Sequence, residues 1–505
     1  MGVVDVNSPN DLAGSDPMSD LDRGVVAWDD QHDTQNPRNF PSTKKSTILA
    51  LLSCMIVLSP YDSFLTSSII APAASIIDSE FHNHSSTVSS MVTTIYVFGY
   101  LMAHLLINPF KVGPLLLSPL GEFYGRRPVF YYANIFYTLT HVGSALSPNI
   151  GCLLAFRTIS GFGASACFSV AGGMLADLYD VHQRGVPNAI ITTGSLFGPV
   201  LGPLFGGIIT QRAGWRWIFW ALLIASAIVT VLMNLFTPET NVHIILRRKA
   251  LRVGKETGRT DLLSFYGNQV GTSSKKNPQT LGQALRRPWK MLFRSPLVPI
   301  FCVMTGFISA LLYILLTSTS SFFQEVYGWP LETAGLAYLG LGFGSLVGLL
   351  LFAKTSDLIA ARLAKKNGGL YQPEMRLVTA FIPALFIPVT FFWYGWSTYA
   401  RMHWVVPLIS LAPFGFAQVG INASSQAYLI DASGPFASSS YACVTSARCL
   451  IGGFLPLVGP SLYRNLGLGW GNSVLGFVSL AMVPIPLLLY RYGQRLRERS
   501  PLDRA

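Results

Sequence analysis

Three ionisable residues sit inside runs that are otherwise built for a hydrocarbon environment. Asp62 follows Pro60 and Tyr61 in one such run, Arg157 lies about seven residues into another, and Arg448 lies in a third. A bare charge at mid-membrane costs at least ~3 kcal/mol on insertion scales, so such groups are expected to face a cavity and to pair. A carboxylate at Asp62 could load and release a proton as its surroundings alternate between wet and dry. The competing reading is an acid hydrogen-bonded at a broken helix. Arg157 reads as a participant in the same proton traffic rather than as a snorkelling structural arginine. Arg448 follows the same logic. Other chemistry finds no pattern. His104, His141, His243 and His403 are scattered, and no HExxH, G-x-S-x-G or paired carboxylates on one helix face occur. The sequence therefore predicts no enzyme, no cofactor and no metal. Without a G-x-x-x-x-G-K-[ST] loop, uphill work must draw on an ion gradient or a partner.

The elements that hold these residues follow from composition. Half of the 505 residues are hydrophobic and 12% are charged, with a mean hydropathy of +0.43. A soluble chain of this length carries about twice that charge fraction. Runs long enough for a bilayer core of ~30 Å suggest helices near 46–70, 87–120, 128–147, 150–175, 187–209 and 215–237. After a basic stretch come 296–320, 333–353, 376–397, 402–428, 436–462 and 469–490. The expected fold is an all-α polytopic membrane protein: twelve transmembrane helices in two six-helix halves, 46–237 and 296–490. An acidic, disordered N-terminus (1–45), a basic central loop (238–295) and a basic tail (491–505) flank and join them. Of the net charge of +12, +9 lies in 238–295, which holds twelve Lys/Arg against three acids. Basic loops between membrane helices set topology, so both termini are expected in the cytosol and no nucleic-acid partner is implied. All six cysteines fall in apolar runs and read as small packing residues.

Between two apolar runs stands a charged island, Gly121-Glu122-Phe123-Tyr124-Gly125-Arg126-Arg127. Gly121 and Gly125 permit a tight turn. Arg126 and Arg127 hold the loop on the cytosolic side. Glu122 can pair with an arginine or cap a neighbouring helix. Such an island is either a charged latch that breaks and remakes as two halves rock, or a plain topological anchor. Asp177 and Arg184, flanking the loop after the fourth helix, form a second latch pair or are merely solvated. Further along, Gly194, Gly198, Gly202 and Gly206 recur every four residues, with Gly207 beside them and Pro199 and Pro203 between. Small residues at that spacing allow close helix contact, and the prolines bend the helix.

The island resembles the loop 2–3 signature of the major facilitator superfamily, in the form found in fungal twelve-span drug:proton antiporters. "WDDQHDTQNPRNF" (28–40) resembles their pre-membrane box, with Phe40 in place of the usual Trp. "RTISGFGAS" (157–165) resembles their fourth-helix motif, and "GSLFGPVLGPLFGG" (194–207) their fifth-helix antiporter motif. "TPETNVHIILRRKALRVGKETG" (237–258) looks like the start of their central loop, and "PEMRL" (373–377) and "YLIDA" (428–432) like second-half motifs. The resemblance implies export rather than import, and supports a coupling role for Arg157.

Tyr61, Phe64, Tyr96 and Phe98 could line an aromatic cavity, although aromatics at these spacings are also ordinary packing. Trp215, Trp217 and Trp220 read as interface belt residues. Asn83 heads a formal glycosylation sequon and is a glycosylation candidate, the competing reading being a sequon too close to the membrane to be used. The second run, Thr87 to Leu120, would make ~50 Å of helix against a ~30 Å core. Leu101–Lys111 accounts for the excess, and reads as an unspliced intron or a gene-model error, which transcript sequencing across those codons settles. The expected activity is proton-coupled efflux of a small lipophilic compound (a secondary metabolite, toxin or drug) by a monomer in the plasma membrane, with protons and the bilayer as its other partners. The alternatives are a nutrient or polyamine facilitator on the same fold, or a transport-inactive membrane sensor.

Overall fold

A helix satisfies its backbone donors and acceptors within its own segment, which is the condition for crossing a hydrocarbon layer. The structure is a computed structural model that describes residues 19, 24–58, 68–105, 124–179, 185–259, 262–265, 296–433 and 437–498. Among the described residues, helices occupy all twelve expected positions. Span 1 begins with Ser42–Leu58, and Ala74–Glu80 follows it beyond. Spans 2 to 6 are Ser86–Leu105, Arg126–Ala145, Ile150–Leu178, Gly185–Ala213 and Arg216–Phe236. Span 7 is Leu297–Tyr327, and span 8 runs from Leu331 to Lys366 through a short 3₁₀ stretch, Gly335–Tyr338. Span 9 is Val378–Tyr399, and span 10 comprises Val405–Ser410 and Ala412–Ser433. Span 11 starts at Ala437–Phe454. Gly467, at φ 70° and ψ 178°, breaks the helical stretch Gly459–Met482, so its first part completes span 11 and the remainder opens span 12. Pro484–Glu498 completes span 12.

The packing shows the duplication. In the first half the strongest pairings are spans 2 with 4, 3 with 4, 3 with 6 and 1 with 5. In the second they are 8 with 10, 9 with 10, 9 with 12 and 7 with 11, each the same pair advanced by six. The halves meet where span 2 packs on span 11 and span 5 on span 8. Burial follows position. The most apolar stretch of span 7 is 83% buried, that of span 6 only 33%. Span 7 is therefore central and span 6 peripheral, with Ile224, Ile228, Val231 and Leu235 exposed on its lipid side.

Two expectations need correction. The N-terminal segment expected to be disordered is built into the fold from Gly24 onward. Val25–Val26 pairs in parallel with Leu263–Ser264, and Trp28 is 1% exposed. Asn36 caps the 3₁₀ turn Pro37–Asn39 by accepting from Arg38 N–H. The central loop supplies the partner of this segment. Its helix Val242–Thr257 (the loop helix) is capped by Asn241. Its Lys249 Nζ lies 2.9 Å from Asp29 and 3.1 Å from Asp33. Burial opposes the charge on Asp33, but N–H donors of Gln35 and Asp29 and the Lys249 ammonium outweigh it and hold the carboxyl below the usual range. A polar, acid-rich segment is ordered here because its acids find a buried lysine some 200 residues away, which no local pattern announces. Trp215 is likewise no belt residue. It is 2% exposed and donates to Glu80 at 2.6 Å, whereas Trp217 is 52% exposed as a belt residue should be. The part of Leu101–Lys111 beyond Leu105 lies outside the described residues.

Candidate functional site

Span 2 presents Ser86, Ser89, Ser90 and Thr93 at spacings of three, four and seven residues, hence on one helix face. Span 7 presents Thr317, Ser318, Ser321 and Glu325 from the other half. Between them lies a cavity of about 620 Å³, completed by Asp78 and His84 from the first loop and by Tyr463 and Arg464 from span 11. It reaches the surface opposite the termini at exposed His84 and Ser85. Hydroxyls and carboxylates keep such a space wet, so it admits water and polar groups to the middle of an otherwise apolar interface.

Arg157 stands behind this cavity. It is 1% exposed, and its Nη2 lies 3.5 Å from the carbonyl of Thr93, one of the lining residues. The rings of Tyr96 and Phe219 each have their centroids 5.9 Å from the guanidinium, within the range of a cation–π contact. His141, equally buried at 1%, lies between Tyr137 and Phe219 at ring distances of 4.7 and 6.4 Å. A permanent charge is thus held at membrane depth, one residue's thickness from a polar space.

Span 5 supplies the seam between halves. A Cβ on Gly207 would stand 2.4 Å from the Leu331 carbonyl of span 8, and one on Gly206 would stand 1.8 Å from the Ile69 carbonyl. In return, Gly335 of span 8 lies against Pro203 and Leu204. Gly198 accepts a hydrogen bond from Ser68 Oγ at 3.3 Å. Gly194, Gly202 and Pro199 share this helix. The small residues therefore let three backbones meet, and Arg212 at the helix end pairs with Glu332 across the halves at 3.3 Å.

At the face carrying the termini, the charged island closes on residues far along the chain. Arg126 Nε meets Asp177 Oδ2 at 3.1 Å. Glu239 accepts the backbone N–H groups of Arg126 at 2.8 Å, Arg127 at 3.4 Å, and Thr240 and Asn241 at 3.0 Å each. Gly125 has φ 106°, a conformation that favours glycine, and a Cβ there would stand 2.2 Å from the Glu239 carboxylate and have to displace it. Arg127 Nη2 donates to the Asn234 carbonyl at 2.7 Å. The second half repeats the theme: Arg376 Nε meets Asp431 Oδ2 at 3.1 Å, and Arg497 meets Glu374 at 3.4 Å.

The structure thus brings Arg126 to Asp177, and Arg157 to the cavity. Tyr96 packs at Arg157, and Phe98 meets Phe454 of span 11 edge-on at 4.4 Å; neither lines the cavity. Arg448 is half-buried on span 11. Asn83 lines the cavity and spends its amide on Asp78 at 2.6 Å. Tyr61, Asp62, Phe64, Gly121, Glu122 and Arg184 lie outside the described residues. Sequence reasoning passed over Glu239, Thr93 and the hydroxyl stripes. The stripes were legible as a period of three to four, but serines in an apolar run carry no sign of what they face.

The Major Facilitator Superfamily model matches residues 62–456. The chain is 38% identical to the MFS transporter cpaT of Aspergillus oryzae over 475 residues, covering 94% of this chain and 92% of that protein. It is 38% identical to the MFS-type transporter phm3 of Pyrenochaetopsis sp. over 505 residues, all of both chains. It is 36% identical to the efflux pump radE of Floropilus chiversii over 488 residues, covering 96% and 87%. Its fold superposes on the xylose transporter XylE from E. coli with a TM-score of 0.63 at 16% identity, covering 89% of this chain and 98% of that one. Twelve helices paired in two repeats, a polar cavity between them and these likenesses lead to one conclusion: the chain belongs to the major facilitator superfamily of multi-pass membrane transporters.

Proposed function

We propose that the chain exports a small lipophilic compound, of the secondary-metabolite, toxin or drug class, in exchange for protons by alternating access. Its termini face the cytosol of a fungal-type cell, its cavity faces outward, and it works as a monomer in the plasma membrane. One observation carries the coupling: Arg157 is held fully buried, directly behind a residue that lines a wet cavity between the halves. A charge so placed favours nearby acids in their ionised form when the cavity is dry and is relieved of that duty when water enters. The name of the relative radE supports the outward direction. Asp62 is the carboxylate proposed to carry the proton, and the two ion clusters at the termini face are proposed to unlock as the halves rock.

Vesicles holding the purified protein test this with a lipophilic rhodamine dye. A pH gradient should drive dye accumulation, and Arg157→Ala should abolish it while leaving the protein folded. Transport that persists after Arg157→Ala, or after the gradient is collapsed, sinks the coupling. A second reading has its own observation, since in the cavity lining hydroxyls, with Asp78 and Glu325, outnumber the aromatics Phe322 and Tyr463. That lining suits a polar or cationic solute, as in a nutrient or polyamine facilitator. Uptake of labelled spermidine by the same vesicles, without dye transport, selects it.

A further inference from the structure

The loop helix Val242–Thr257 has two unlike sides. Leu246, Lys249 and Ala250 are buried, with Lys249 clasped by Asp29 and Asp33. Arg247, Arg248, Leu251, Arg252 and Lys255 are all exposed, at spacings of one, four, five and eight residues that place them along one face. Leu251 is 61% exposed in the centre of the four cations. The helix is also held close to the bilayer. Leu235 and Phe236, the last turn of span 6, are 69% and 54% exposed on its lipid side. Only residues 237–241 separate them from the helix. Five residues reach at most ~18 Å even when extended. These are not free to extend, because Thr237, Thr240 and Asn241 are buried and Glu239 holds the N–H groups of two of them. The helix therefore starts at the depth of the headgroup layer.

A single leucine exposed to water is ordinary and by itself marks nothing. At a headgroup boundary this leucine and the cations around it fit together: the cations meet lipid phosphates while the leucine enters the acyl margin. We infer that Arg247, Arg248, Leu251, Arg252 and Lys255 form a docking face for anionic phospholipid headgroups of the leaflet nearest the termini. The inference does not depend on proton coupling or on the cargo. It gives the central loop a fixed station on the membrane, with the Asp29–Lys249–Asp33 clasp as its protein side and the lipid as its other side.

The test uses the full chain with p-benzoylphenylalanine in place of Leu251, reconstituted in phosphatidylcholine vesicles with and without phosphatidylserine and then irradiated. A phosphatidylserine adduct is expected. The combined substitution Arg247→Gln, Arg248→Gln, Arg252→Gln and Lys255→Gln should lower its yield about tenfold or more, since each cation near an anionic surface contributes roughly fivefold. Lysine in place of the three arginines should keep the yield, because a lipid phosphate met as a point charge does not need the guanidinium fork. If the glutamine variant folds poorly, raising the salt concentration on the unsubstituted chain serves instead, and must lower the yield. Equal yields with and without phosphatidylserine, adducts to protein alone, or indifference to both charge removal and salt overturn the inference. So does loss of the adduct to inorganic phosphate at constant ionic strength, which would assign the face to a free anion.

Discussion

At the face carrying the termini, each half holds an arginine–aspartate pair with the same 3.1 Å contact, and each surrounds it differently. In the first half the side chains of Arg126 and Asp177 are 10% and 18% exposed, and Glu239 binds the adjoining backbone through four N–H groups. In the second, Arg376 and Asp431 are 22% and 27% exposed, with the Tyr371 hydroxyl on the same carboxylate. There the loop residue Glu374, its side chain 3% exposed, is met by a side chain, Arg497. A carboxylate bonded to backbone fixes the chain's path, whereas one bonded to a long side chain fixes only that side chain. The duplicated fold thus ties down the backbone in one cluster and only a side chain in the other. For the rocking proposed above, that difference would leave one ion lock rigid and the other adjustable.

Removing the aspartates should separate the two locks most widely. Asp177→Asn leaves a mostly buried guanidinium unpaired and should cost ~3 kcal/mol or more, whereas Asp431→Asn should cost about 1 kcal/mol. Thermal unfolding in detergent reads both, and equal losses break the comparison. Next, Glu239→Gln keeps the shape of the side chain and removes its charge. It weakens bonds to four N–H donors, and charge-assisted bonds exceed neutral ones by about 1 kcal/mol. Hydrogen exchange at residues 125–127 should speed up in that variant, while Arg497→Gln should leave the backbone at 373–377 exchanging as before. Faster exchange at 373–377 would mean that the second lock also fixes its loop.

The smallest effect concerns the N-terminal clasp, which extends the rigid lock. The carboxyl of Asp33 is depressed in the fold, so it contributes stability that is complete above its unfolded value of about 3.9. That contribution is lost as pH falls through the depressed folded value. Asp33→Asn should therefore speed exchange at residues 25–40 at neutral pH. The gap between variant and parent should narrow only below about pH 4. A gap that stays constant into strong acid would show that the clasp does not depend on that charge.

Much of the architecture is legible from local chemistry. Apolar length and loop charge place twelve helices to within a few residues at most ends, because each span must be long and dry on its own account. The same argument marks Arg157, since a charge in such a run is costly wherever the run goes. The turn at Gly125 is legible as a glycine between charges, but its partner is not. Glu239 reads only as one acid near a basic loop, and nothing local says that it reaches back more than a hundred residues to the island. The N-terminal segment misleads for the same reason, because its acids look solvated until Lys249 is placed among them.

The sequence by itself thus determines how many times the chain crosses, where the dry segments begin, and which ionisable groups lie within them. These are properties of single helices in contact with lipid. Which carboxylate each arginine meets, which serines face a common cavity, and which side of the loop helix is left bare are decided only by tertiary structure. Those contacts join residues 51, 113 and 216 positions apart, and their existence depends on how all twelve helices pack at once.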